Sequence, residues 1–153
     1  MTTKLHTLVD GNGRPLVIEA GPGHGGDSPM LPVLLGYLRV ARDGPGRPRT
    51  RPDALLADKA YSSRGHRALL RARGITGVIP ERADQQGHRL RRGAAGGRPV
   101  SYDRERYKDR NVIERSYAQL KQWRGLATRY DKLAVIYRGG AVYAASSCGS
   151  AAQ

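Results

Sequence analysis

The four residues Asp10-Gly11-Asn12-Gly13 leave the chain around them little choice but to reverse direction. Asp and Asn bond their own downstream amides and tolerate left-handed backbone, and glycine takes a positive φ without a side-chain clash. On either side, apolar residues recur at every second position, the period of a strand. Thr3 to Val9 leads in. Arg14 to Ala20 leads out, with Leu16 and Ile18 alternating against Val17 and Glu19. The chain therefore opens as a β-hairpin. A lone hairpin is marginal in water, so later segments must cover it.

Those segments alternate in type. Gly21 to Gly26 is a glycine-rich loop without the spacing, or the following Lys-Ser/Thr, of a phosphate loop, and it receives no catalytic role. Asp27 or Ser28 can cap a helix from Pro29 to about Val40, with Leu31, Leu34, Leu35 and Leu38 on one side. Asp43 to Pro52 reads as an exposed basic loop. Ala54 to Ala57 is a short apolar run ending at Asp58, the pattern of a buried strand. Ser62 or Ser63 can cap a helix from Arg64 to Arg73, closed by Gly74. Ile75 to Ile79 is a second buried strand, stopped by Pro80, and the strand–helix–strand order predicts a parallel pair. Residues 82–99 carry few apolar side chains and read as a flexible basic insertion. A long helix is expected from about Asp109 to Thr128. Another follows from Ala134 to Ala145, weakened by Gly139-Gly140. Residues 146–153 have little to bury and read as a disordered tail. The fold class is α/β, with one mixed sheet.

Composition narrows the function. A chain of 153 residues suits one domain, and with no Phe and one Trp its core must rest on Leu, Val, Ile and Tyr. Lys plus Arg number 27 against 13 Asp plus Glu, a formal net charge of +14. Such an excess points to a polyanionic partner, nucleic acid first, against the plainer alternative of a solvated basic surface. The single Cys148 can form no internal disulfide and has no neighbour at zinc-ligand spacing, which suits a reducing cytoplasm. No run of apolar residues is long enough to span a membrane, and the N-terminus does not read as a signal peptide.

The long helix carries a polar stripe. With Glu114 at zero and about 100° per residue, Arg110 falls near −40°, Lys121 near −20° and Tyr107, if helical, near +20°. Val112, Leu120 and Trp123 fall near the opposite side. By itself this pattern equally fits a surface helix laced by charge pairs, each worth a few tenths of a kcal/mol.

The spacing is more specific than the stripe. Tyr107-Lys-Asp-Arg110-Asn-Val-Ile-Glu114, with Lys121 seven residues on, reads Tyr-x2-Arg-x3-Glu-x6-Lys. It resembles the signature of a large group of bacterial insertion-sequence DDE transposases. Leu56-Ala-Asp58-Lys-Ala-Tyr61 resembles the setting of that family's second catalytic Asp, and the text from Leu120 to Leu133 and the opening hairpin are similar to it too. The resemblance implies a ribonuclease-H-like fold, with Asp58 as the second Asp, Glu114 as the Glu, and Tyr107, Arg110 and Lys121 as DNA-contacting residues. It implies Mg²⁺ or Mn²⁺ as cofactor, and DNA strand cleavage and strand transfer as activity. The partners implied are element ends and target DNA, with a second copy or a full-length transposase also possible.

The implied chemistry suits these residues. Phosphodiester cleavage needs an activated water and a stabilised leaving oxygen, which two ions roughly 3.5–4 Å apart supply. Clustered carboxylates repel one another until metal neutralises them, and neighbouring cations moderate that repulsion. The family's first Asp lies on a strand before the hairpin, where this chain begins. The expectation is therefore a partial catalytic domain over residues 1–145 that lacks the first strand and is inactive alone, through truncation or a miscalled start. The alternative is a catalytically inactive DNA-binding or oligomerising fragment that modulates transposition. Asp10, at a turn, and Asp27, at a helix start, are poor substitutes for the first Asp. His24, His66, Ser62, Ser63, Asp103 and Asp109 read as loop, surface or cap residues, and Trp123 as core.

Overall fold

A computed structural model describes the backbone of residues 2–150 and the side chains of residues 2–147. It divides into two compact units. The first joins residues 1–50 to 111–153, and the second is the stretch Arg51–Arg110 between them.

The first unit is built on the hairpin. Strands β1 (Thr3–Val9) and β2 (Pro15–Pro22) pair antiparallel, from Thr3 opposite Pro22 to Leu8 opposite Val17, with a register shift between Leu8 and Val9. Asp10 makes the turn: its Oδ1 accepts the amides of Asn12 at 2.9 Å and Arg14 at 2.8 Å. Gly13 sits there at φ +86°, where a Cβ would stand 3.4 Å from Val112 Cγ1. Helix α1 (Met30–Tyr37) packs Leu34, with Leu38 just beyond its end, against Val17. Leu31, Leu34, Leu35 and Leu38 are all buried, as their spacing predicts. Val17 and Ile18 point to opposite faces of β2 and both are buried, so both faces are covered. The second cover comes from α5 (Asn111–Lys121) and α7 (Ala134–Ser150), which contact β1 and β2 respectively. Tyr117 on α5 donates its hydroxyl to the Leu5 carbonyl at 3.1 Å. Arg138 on α7 donates Nε to the Ile18 carbonyl at 2.8 Å and Nη2 to Glu19 at 2.7 Å.

The cap of α1 differs from expectation. The backbone carbonyls of Asp27 and Ser28 accept the amides of Met30 and Leu31, while the Asp27 carboxylate turns to Lys4 Nζ at 2.9 Å. The loop after α1 is exposed from residue 41 to 51, and an antiparallel bridge between Val40 and Arg49 closes it at the base.

The second unit holds the parallel pair β3 (Ala54–Leu56) and β4 (Thr76–Val78), in register from Ala54 opposite Thr76 to Leu56 opposite Val78. Helix α2 (Arg64–Ala72) crosses between them and buries Leu70 to 2% exposure. Ser63 caps it by accepting the His66 amide at 3.1 Å. Gly74 closes it at φ +63°, its amide bonded to the Arg71 carbonyl and that of Ile75 to Leu70. The basic stretch expected to be a flexible insertion holds a helix, α3 (Ala83–Arg91), followed by a 3₁₀ turn at Gly93–Gly96. Its inward contacts are polar: Arg89 Nη2 meets Glu81 Oε2 at 2.8 Å.

Three further expectations change. The described strands form two two-stranded sheets, one in each unit, instead of one mixed sheet. The long helix expected from about Asp109 is broken into the end of a 3₁₀ turn (Lys108–Arg110), α5 and α6 (Arg124–Ala127), and a short helix, α4 (Arg104–Tyr107), precedes it. Trp123 is extended backbone between α5 and α6, and it stays 39% exposed with its ring edge-on to Tyr143 at 5.7 Å. The final helix runs to Ser150, so the expected disordered tail is helical over residues 146–150, and residues 151–153 lie outside those described.

Candidate functional site

Asp58 lies two residues past β3, beyond the C-terminal end of a strand whose central residue, Leu55, is buried. Its backbone is extended, and its Oδ1 accepts the Ala60 amide at 2.7 Å, capping the 3₁₀ turn Lys59–Tyr61. Its Oδ2 has no hydrogen-bond partner among the described residues. The turn thus immobilises one carboxylate oxygen and presents the other, as a metal ligand requires. The carboxyl ends of parallel strands are where open α/β sheets commonly carry their ligands, because the loops that follow converge there.

Glu114 lies in the first turn of α5 and Lys121 in its last, both exposed. Seven residues on a helix return to within about 20° of one face, while Ser116 and Leu120 are buried. An acid at the N-terminal turn and a base at the C-terminal turn also suit the helix dipole. Tyr107 ends α4 and Arg110 ends the 3₁₀ turn, so the stripe is carried by three short elements and not by one helix. The Arg110 guanidinium lies over the Tyr107 ring at 5.7 Å, and Tyr102 packs edge-on against that ring at 5.5 Å. The aromatic pair gives the guanidinium a platform.

Asp58, Tyr107 and Arg110 belong to the second unit, Glu114 and Lys121 to the first. Neither unit assembles three ligating His, Cys, Asp or Glu side chains among the described residues. The donors are carboxylate oxygens, the chemistry that hard Mg²⁺ or Mn²⁺ prefers. Asp10 Oδ1 is bonded within its own turn, and Asp27 Oδ1 is paired with Lys4.

The minor candidates take structural roles. Asp103 caps α4 by accepting the Arg106 amide, and Asp109 lies in the 3₁₀ turn. His66 Nδ1 meets the Tyr61 carbonyl at 2.9 Å, and His24 is exposed in its loop. Ser62 has an unexpected part: buried to 4% exposure, it hydrogen-bonds Gln85 of α3. No helix of the described residues is long and apolar enough to cross a membrane.

Comparison with known proteins adds to this geometry. The family profile described as Transposase DDE domain matches residues 1–139. A protein of Burkholderia cepacia assigned as transposase for insertion sequence element IS402 is 32% identical over 135 residues, covering 88% of this chain and 56% of that protein. The chain therefore spans little more than half the length of this relative. A Brucella ovis protein assigned as transposase for insertion sequence element IS6501 is 33% identical over 143 residues, covering 91% of each. No solved structure matches the chain.

Proposed function

This chain belongs to the transposase DDE domain family, and from that premise we propose that Asp58 and Glu114 hold a divalent cation while Tyr107, Arg110 and Lys121 engage DNA. The protein is then part of an insertion-sequence transposase that cuts and joins DNA in the bacterial cytoplasm. The observation that carries the reading is the Asp58 turn, with one carboxylate oxygen bonded to the Ala60 amide and the other open at the end of a parallel strand.

Mg²⁺ or Mn²⁺, when bound, would supply the charge that activates a water and stabilises the leaving oxygen of a phosphodiester. Asp58 and Glu114 each contribute anionic oxygen. Arg110 offers a planar guanidinium that can take two phosphate oxygens at once, and the Tyr107 ring limits its tilt. Lys121 adds a point charge on the Glu114 face of α5. A complete two-ion site needs a further carboxylate. Asp10 lies at the hairpin turn and Asp27 is paired with Lys4; on a second reading the chain alone binds DNA without cutting it, and a second copy or a longer transposase completes the set.

Fluorescence anisotropy with duplex DNA at varied salt tests the binding. Affinity should fall steeply with salt, and Arg110→Ala and Lys121→Ala should each flatten the log–log slope by about 0.9. Absence of binding at low salt overturns the DNA reading. With Mg²⁺ present, the chain should leave supercoiled DNA intact. Robust nicking that Asp58→Ala or Glu114→Ala abolishes would overturn the inactivity while supporting the metal ligands.

A further inference from the structure

The second unit contains a closed polar circuit for which the proposed reaction has no direct use. The Ser62 hydroxyl donates to Gln85 Oε1 at 2.8 Å, and Gln85 Nε2 donates back to the Ser62 carbonyl at 2.8 Å. Arg67 Nη2 donates to the same hydroxyl oxygen at 3.1 Å and to the Ile79 carbonyl at 3.0 Å. Gln85 lies on α3 and Arg67 on α2, so two helices meet on one serine, and Arg67 ties it to Ile79 just past β4. That serine closes the turn that Asp58 opens. Asp58 caps its start through the Ala60 amide, and the Ser62 amide donates to the Lys59 carbonyl at 3.1 Å at its end. Helix α3 is itself anchored a turn later by Arg89 and Glu81, whose side chains are only 20% and 13% exposed.

We propose that Gln85 is a positioning residue for Asp58: α3 clamps Ser62 by hydroxyl and carbonyl together, and so fixes the direction in which the Asp58 turn presents Oδ2. The proposal rests on the reading of Asp58 as a metal ligand. One hydrogen bond would let the Ser62 peptide pivot. A primary amide that both accepts from and donates to the same residue defines its rotation, which an apolar side chain of equal size would not do. Arg91 and Arg92 lie exposed at the C-terminal end of the helix that makes this clamp.

The Ala60 amide is the natural reporter, because it donates to Asp58 Oδ1. Gln85→Met keeps side-chain length and removes both bonds, and Gln85→Glu keeps the acceptor while losing the donor. Each is compared with the wild-type chain, ¹⁵N-labelled, by amide exchange and by Mn²⁺ line broadening. Gln85→Met should speed exchange at Ala60 and weaken Mn²⁺ broadening of Lys59 and Ala60 by about tenfold, as loss of a group orienting a metal ligand does. Gln85→Glu should fall between, and the hairpin amides should keep wild-type exchange. Wild-type Ala60 exchange in both variants overturns the clamp. Unchanged Mn²⁺ broadening in both, with Asp58→Ala abolishing it, overturns the positioning role. Broadening that survives Asp58→Ala overturns the ligand reading instead, while Ala60 exchange still decides whether Gln85 orients the turn.

Discussion

His6 is 5% exposed on β1, and burial holds its imidazole below the ordinary histidine value of 6.5. Asp27, 3.8 Å away through Oδ1, pulls upward, and Lys4 adds to the depression. The folded state therefore disfavours the imidazolium. On acidification below about 6.5 the unfolded chain takes up its proton first, so the stability present above that pH is lost as pH falls. The urea midpoint should be lower at about pH 5.5 than at about pH 7.5, and His6→Gln should flatten the difference. An equal drop in that variant would assign the effect elsewhere. Gly13 belongs to the same scale: at φ +86° beside Val112, Gly13→Ala should cost about 1–2 kcal/mol in chemical denaturation. The sequence shows such residues unevenly. Asp10 and Gly13 are legible because turn chemistry is local, and the place of Asp58 just past a short strand because the apolar run over residues 54–57 leads to it. The burial of His6 and Ser62 is not, since both depend on side chains distant in the chain.

Elements that bury an apolar face follow their periodicity. The hairpin, α1, α2 and the parallel pair fall within a few residues of where alternation, caps and Gly74 place them. Ser63→Ala should cost about 1 kcal/mol by removing the α2 cap. Leu70→Ala, at a position 2% exposed, should cost roughly 2–5 kcal/mol, and a value near zero would mean that the α2–β4 contact is loose. Two elements escape such reasoning. Helix α3 shows no apolar stripe because Gln85–Ser62 and Arg89–Glu81 hold it, and polar matching has no period. The break after Lys121 is equally hidden. There the amides of Gln122 and Trp123 shift to partners three residues back, although the apolar pattern runs on through Trp123. At the other end, Arg110 closes the 3₁₀ turn that precedes α5.

At the scale of the whole molecule, the chain carries a formal charge of +14 and belongs to the transposase DDE domain family. The chain order of the first unit was not legible: residues 1–50 complete their fold only with residues 111–153, and nothing in the intervening 60 or so residues announces that return. This arrangement has a consequence for limited proteolysis. The loop from 41 to 51 is exposed throughout and offers the bonds after Arg42 and Arg49, which no proline follows, so trypsin should cut there early. The released N-terminal piece still holds Tyr117 through the Leu5 carbonyl and Arg138 through Glu19. A nicked chain should therefore elute as one species under native conditions and separate only in denaturant. A synthetic hairpin-and-α1 peptide should then be able to rejoin the remainder, making this unit a natural candidate for fragment complementation.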